Sequence, residues 1–418
     1  LGLQGDFPVN RFSLKCGNGV DDVAVTRWIL KALELGVTDL DLRIVLDWVD
    51  VLFPPQVFVS KSLVRLRIGA RNGIVFGGGP TIDVEQHVSL PKLKTLYIDS
   101  VVIGNQTNIC LGKLLSGCHV LEELFLISLS WFYWESCTLS VPTLKRLTLC
   151  IEDHHESPES VTFDTPALVY FEYSDTVALK YAKVNFDSLV EASLRLKVGY
   201  KEAGYVIELL ENGEEYMGGM GYDMVGDATN LLLGISNVQI LYLSASTVEV
   251  LTFCCKAIPI FNNLTRLTIE SNAEVGWESL PNLLKNCPNL KTLLFQGLHH
   301  KATDSCGNMC RCKPWENIPN CLSSSPVKVL KILKLGENID TELEQIKHFL
   351  ESMPHLEQLT IYFDDASTDD NPVKVSEELQ KLPSVASPKC KIQVISNTIS
   401  LSFTVPSSSS MKGIAPVL

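Results

Sequence analysis

Leu121-Glu-Glu-Leu124-Phe-Leu126 carries the pattern on which the fold turns: an apolar residue, two spacers, an apolar residue, one spacer, an apolar residue. The pattern returns in Leu93-Lys-Thr-Leu96-Tyr-Ile98, Leu144-Lys-Arg-Leu147-Thr-Leu149, Leu264-Thr-Arg-Leu267-Thr-Ile269, Leu290-Lys-Thr-Leu293-Leu-Phe295 and Leu356-Glu-Gln-Leu359-Thr-Ile361. One such unit cannot bury its own apolar face, whereas stacked units can. The expected architecture is therefore a solenoid with a long exposed surface, which points to binding before catalysis.

Twelve central positions follow from this pattern: Leu40, Leu66, Leu96, Leu124, Leu147, Phe171, Ala192, Leu241, Leu267, Leu293, Leu333 and Leu359. Most lie at or near the roughly 20–29 residues of a leucine-rich repeat. The intervals from Ala192 to Leu241 and from Leu293 to Leu333 are longer, and each reads as one repeat plus an insertion. Strand alternation puts the last two apolar residues of a copy on one side and the spacers on the other. The fold class expected is α/β: a leucine-rich-repeat solenoid with a curved parallel sheet on the concave face and helices and irregular turns on the convex face.

The spacer after each central residue would face the concave side: Arg67, Tyr97, Phe125, Thr148, Glu172, Ser193, Tyr242, Thr268, Leu294, Lys334 and Thr360. Its aromatic members Tyr97, Phe125 and Tyr242 are candidate partner contacts. So is the run Trp131, Phe132, Tyr133, Trp134, because aromatic anchors dominate many interfaces. Packing over the solenoid edge is the competing reading of that run.

Helical spacing precedes several strands. Leu111, Leu114, Leu115 and Cys118 lead into Leu121, and Leu280, Leu283, Leu284 and Cys287 lead into Leu290. Near the start, Asp21 or Asp22 can cap a helix that buries Val25, Trp28, Ile29, Ala32 and Leu33 and ends at Gly36, before a strand from Leu40 to Val45. Towards the end, Thr341-Glu-Leu-Glu344 reads as a capping box opening a helix with Leu343, Ile346, Phe349, Leu350 and Met353 on one face.

The net charge of −13 would repel a phosphate backbone, and no basic patch offsets it, so no nucleic-acid partner is expected. No apolar run approaches a membrane span, and no signal peptide is visible, so no membrane partner is expected either. The 13 cysteines, several inside apolar repeats, fit a reduced intracellular compartment, cytoplasm or nucleus. On that ground the sequons at Asn105 and Asn263 are chance matches.

Several segments resemble one known group. Arg11-Phe-Ser-Leu-Lys-Cys16, the Trp28-Ile-Leu-Lys-Ala-Leu33 helix and Val37-Thr-Asp-Leu-Asp-Leu42 resemble the segment after the F-box in plant F-box/leucine-rich-repeat proteins. Ile318-Pro-Asn-Cys-Leu322, Val329-Leu-Lys-Ile332, Leu350 to Ile361 and Ser387-Pro-Lys-Cys390 resemble the FBD module of that group. The resemblance implies residues 1–36 as an entry segment with a capping helix and 37–300 as the repeats. It then implies 301–314 as a Cys-rich insertion and 315–395 as an FBD-like module continuing the repeats. Residues 403–418 are polar and expected to be a disordered tail.

The same resemblance implies substrate recognition for an SCF-type cullin ubiquitin ligase, with a target protein held on the solenoid. The F-box itself is not in this sequence, which starts at Leu1. Docking on the ligase adaptor is therefore expected only if an F-box lies upstream. The alternative expectation is a stand-alone leucine-rich-repeat interaction or scaffold protein with no ligase link.

Little in the chain suggests chemistry. His299 and His300 precede Cys306, Cys310, Cys312 and Cys321, enough thiol and imidazole groups for a tetrahedral metal. The spacing is not that of paired C-x-x-C clips, so the segment is read as a flexible reduced loop with no metal. Gly77-Gly-Gly-Pro80 lacks the Lys-Ser/Thr of a phosphate loop, and His154-His155 has no nucleophile beside it. The acidic, Gly-rich stretch from Lys201 to Gly226 reads as a mobile loop. No catalytic residue and no cofactor are expected.

Overall fold

In Thr95–Asp99, Leu96 and Ile98 are fully buried while Thr95, Tyr97 and Asp99 stay partly exposed, the period-two signature of a half-buried strand. That strand and its counterparts belong to a computed structural model describing residues 9–17, 20–44, 53–70, 81–82, 87–103, 107–129, 136–151, 157–209, 215–311, 321–335, 338–363, 370–382, 385–387 and 389–405. The chain divides into two compact units, Leu1–Val190 with Val198–Ile235, and Glu191–Lys197 with Ser236–Leu418.

In the first unit seven strands lie side by side in sequence order, all parallel: Arg11–Cys16, Asp39–Ile44, Arg65–Gly69, Thr95–Asp99, Glu123–Leu129, Arg146–Ile151 and Tyr170–Thr176. Their register aligns Phe12, Leu40, Leu66, Leu96, Leu124, Leu147 and Phe171. The fold is thus an α/β leucine-rich-repeat fold, with the expected central residues stacked. The first strand of the row lies in what the sequence marked only as an entry segment. Val9-Asn-Arg-Phe12-Ser-Leu14 carries the same pattern, with Phe12 as a further central residue that the twelve did not include.

The entry helix is Asp22–Glu34, and Asp21 caps it by accepting from the Val23 N–H at 3.2 Å. Val25, Ile29 and Ala32 are buried, whereas Trp28 stays 41% exposed, outside the face expected for it. Gly36, at φ +72°, ends the helix in the left-handed region that glycine adopts without cost. The helix Thr107–Ser116 buries Leu111, Leu114 and Leu115 as its spacing required.

Further along, the second layer changes from helix to strand. Ser136–Ser140, Ser160–Asp164 and Tyr181–Asn185 form a three-stranded parallel sheet. Its Phe163 packs 5.2 Å from Phe171 and 5.5 Å from Tyr173, so it closes the core of the main sheet. The repeats around Leu147 and Phe171 are among the shortest and hold a strand more easily than a helix with two linkers. The Gly-rich stretch expected to be a loop instead pairs as an antiparallel hairpin of Gly199–Leu209 with Glu215–Val225.

The second unit repeats the design. Glu191–Lys197, Ile240–Leu243, Arg266–Glu270, Thr292–Gln296, Val329–Leu335, Gln358–Phe363 and Lys391–Ile395 are parallel neighbours, and Ser400–Thr404 adds an antiparallel edge. Its register corrects one expected position. Leu293 faces Leu330, and Leu330 faces Leu359, so the central residue is Leu330 and not Leu333. Val329 to Leu335 satisfies the apolar pattern in both frames. A bulge at Lys334, φ +58°, then turns Leu335 inward. The outward spacer is accordingly Lys331.

Lys391–Ile395 is a further repeat strand, with Ile392 and Val394 fully buried, at the end of the segment expected to be FBD-like. The final strand runs through 403, where a tail was expected to begin; residues 406–418 lie outside the described residues. The helix Ile339–Ser352 has the expected buried face. It starts earlier than the capping box suggested, with Asn338 as its cap and Thr341 inside it.

Candidate protein-binding surface

Each main-sheet strand turns its apolar residues inward, so the residues on either side of a central Leu share the outer face. In the first unit this face carries a connected row. The Arg67 guanidinium lies 3.8 Å from the Tyr97 ring centroid, and the Tyr97 and Phe125 centroids are 5.5 Å apart. Arg146 lies 5.9 Å from the Phe125 centroid and 3.8 Å from that of Tyr170. The Tyr170 hydroxyl donates to Glu172 at 3.4 Å. Guanidinium groups therefore face aromatic rings of neighbouring strands, each such contact worth about 0.5–1 kcal/mol at exposed sites.

The row is anchored at one end. Asp41, only 4% exposed, accepts from Arg43 at 3.2 Å and from the Ser13 hydroxyl at 3.3 Å, with Arg67 at 4.0 Å. Burial raises the Tyr97 phenol above its ordinary value, and the Asp99 carboxylate, which accepts from the Tyr97 hydroxyl at 3.3 Å, adds to that. The phenol stays a neutral donor in a fixed direction.

The second unit holds a smaller version. Arg195 stands 4.6 Å from the Tyr242 centroid and donates to its hydroxyl at 2.9 Å, and that hydroxyl donates to Glu270 at 2.6 Å. Burial first, then the bond to Glu270, pushes the Tyr242 phenol up to about 12. Aromatic and Arg side chains held in place by neighbours suit recognition of a protein surface, since little side-chain entropy remains to be lost.

Of the expected contact residues, Tyr97, Phe125 and Tyr242 stand on this outer face. Trp131, Phe132, Tyr133 and Trp134 lie outside the described residues. Arg146, Tyr170, Arg195 and Glu270 were missed. Arg146 and Tyr170 immediately precede central residues, so the same alternation that marked the following spacers would have marked them.

The thiol cluster sorts differently from its order in sequence. Ligand atoms of His300, Cys306 and Cys310 lie within 4.8 Å of one another. Cys321 instead points its sulfur at the Asn308 side-chain oxygen, 2.9 Å away. Cys312 lies outside the described residues, as do Gly77 to Pro80 and His154-His155.

Residues 25–198 match the family described as "FBD-associated F-box protein At5g56370, LRR repeats". The chain is similar to three Arabidopsis thaliana proteins. With the putative F-box/LRR-repeat protein At3g59230 the identity is 68%, over 98% of this chain and 83% of that protein. With the F-box/LRR-repeat protein At3g59210 it is 55%, over 99% and 83%. With the putative F-box/FBD/LRR-repeat protein At3g59240 it is 48%, over 94% and 75%. No solved structure matches.

Proposed function

Since the chain belongs to the F-box/LRR-repeat family, we propose that it is the target-holding part of a substrate-recognition subunit of an SCF-type cullin ubiquitin ligase, acting by binding and not by catalysis. The observation that carries this reading is the linked row Arg67, Tyr97, Phe125 and Arg146 on the outer sheet face of the first unit. Those side chains are oriented by one another, half-buried and chemically mixed, which favours a protein partner over a small molecule.

On this reading an F-box in the gene product docks on the ligase adaptor, and target binding needs no cofactor. Action in cytoplasm or nucleus follows from that partnership. The net charge of −13 disfavours nucleic acid and anionic membrane surfaces as partners. Among the described residues no helix is long and apolar enough to cross a membrane.

The test uses the full gene product, tagged and purified from plant cells with ligase activity blocked. Adaptor and cullin should co-purify with both the wild type and a Tyr97→Ala, Phe125→Ala double variant. A target whose ubiquitination depends on the protein should co-purify with the wild type alone. No adaptor on the wild type would sink the ligase reading. Equal target recovery by both would sink the assignment of the surface.

A further inference from the structure

We propose that His300, Cys306 and Cys310 form a site for one thiophilic divalent cation, zinc by the chemistry of its donors, with the fourth coordination position left to water. Three potential ligand atoms from an eleven-residue stretch lie within 4.8 Å of one another. Zinc–sulfur bonds of about 2.3 Å place tetrahedral ligands about 3.8 Å apart. The cluster therefore needs to close by about 1 Å, a shift that side-chain rotation supplies.

The local chain holds this geometry. Gly307 takes φ +61°, and the short turn Gly307–Met309 folds Cys310 back towards Cys306. The turn is pinned from the helix Ile339–Ser352: the Gln345 amide donates to the Met309 carbonyl at 2.6 Å, and the His348 Nε2 lies 2.7 Å from the Asn308 carbonyl. The His300 ring stacks on Trp277 with centroids 3.9 Å apart, and its Nδ1 lies 3.2 Å from the Leu298 carbonyl. A ring donating from Nδ1 to a carbonyl carries its lone pair on Nε2, the arrangement typical of a metal-ligating histidine. The Thr303 hydroxyl lies 3.1 Å from the Cys306 sulfur.

Cys306 and Cys310 are buried, at 2% and 6% exposure, and the half-buried His300 ring stands beside them. A buried thiolate is costly unless something compensates its charge. Two thiolates and one neutral imidazole would balance a divalent ion, with the thiol protons released to solvent on binding.

A route in is also present. His300 lines a cavity of about 570 Å³ whose wall also includes Arg311, Asp340, Glu342 and Glu344. The sequence spacing hid this site because the third ligand is an imidazole six residues before the first thiol, not a second C-x-x-C clip.

The test uses the full chain, stripped with chelator and kept reduced. One equivalent of cobalt(II) should produce a thiolate-to-metal absorption band, and one equivalent of zinc should abolish it. The band should vanish in Cys306→Ser and Cys310→Ser and persist in Cys321→Ser, with circular dichroism reporting folding. Independently of variants, one equivalent of zinc should slow alkylation of Cys306 and Cys310 at least tenfold, read by peptide mass spectrometry, and leave Cys321 unchanged. No cobalt band, a band retained in Cys306→Ser, no protection by zinc, or a Cys306–Cys310 disulfide persisting under reductant would each overturn the proposal.

Discussion

The Tyr173 hydroxyl donates to the Asp175 carboxylate across 3.0 Å, with both residues buried in the first unit. Burial lifts the Asp175 carboxyl to about 7; the bonds from Tyr173 and from the Thr176 N–H oppose that lift without cancelling it. A carboxyl in the unfolded chain titrates near 4. Between about pH 4 and pH 7 the folded state therefore binds the extra proton, and stability falls as the pH rises through that window.

Thermal or urea unfolding at pH 5 and at pH 8 checks this. Asp175→Asn, which is neutral at both, should reduce the loss of stability between them by an amount on the order of a few kcal/mol. An unchanged pH slope in that variant would show that Asp175 is not the responsible group.

Leu96 and Tyr97 are chain neighbours on opposite faces of one strand, the first fully buried and the second half-exposed. Leu96→Ala should cost about 2–5 kcal/mol of stability through the cavity it leaves. Tyr97→Ala should cost far less stability but weaken target binding by about tenfold or more. Urea midpoints and a binding titration separate the two. Equal losses of stability would contradict the assigned faces.

The register of Val329–Leu335 has its own consequence. Leu330 is fully buried opposite Leu293 and Leu359, whereas Leu333 is only half-buried. Leu330→Ala should therefore destabilise by about 2–5 kcal/mol and Leu333→Ala by clearly less. The reverse order in denaturant unfolding would restore the frame that the sequence pattern first suggested.

Asn338 caps the helix Ile339–Ser352 by accepting from the Thr341 N–H at 3.5 Å. Asn338→Ala should cost about 0.5–2 kcal/mol. Thr341→Ala should cost less, because that residue lies inside the helix. Hydrogen exchange at the amides of the first turn would report the loss, and a larger effect from Thr341→Ala would mean that the helix starts where the capping box placed it.

Legibility followed the range of the interaction. Leu40, Leu66, Leu96, Leu124, Leu147 and Phe171 were readable as one stack because each announces itself through neighbours two and three residues away. Tyr97, Phe125 and Tyr242 were readable as outward-facing for the same reason. Leu330 was not, because Val329 to Leu335 alternates in both frames and only pairing with Leu293 and Leu359 chooses between them. Nor was the hairpin Gly199–Leu209 with Glu215–Val225, whose glycines and acidic residues lower local strand preference.

By itself, the sequence determined the repeat and most of the strand faces, since period-two alternation is a property of short segments, while the family was legible through the resemblance of segments at both ends of the chain. Only the tertiary structure decided what crosses between segments. It set Arg146 against Phe125 and Tyr170, and it exchanged helix for strand behind the shortest repeats. It also drew His300, Cys306 and Cys310 together while sending Cys321 to Asn308. Those outcomes depend on register, on a left-handed glycine turn and on contacts with the helix Ile339–Ser352, about 30–50 residues away in the chain. No window of neighbouring residues contains that information, because the contact geometry exists only after the strands have stacked.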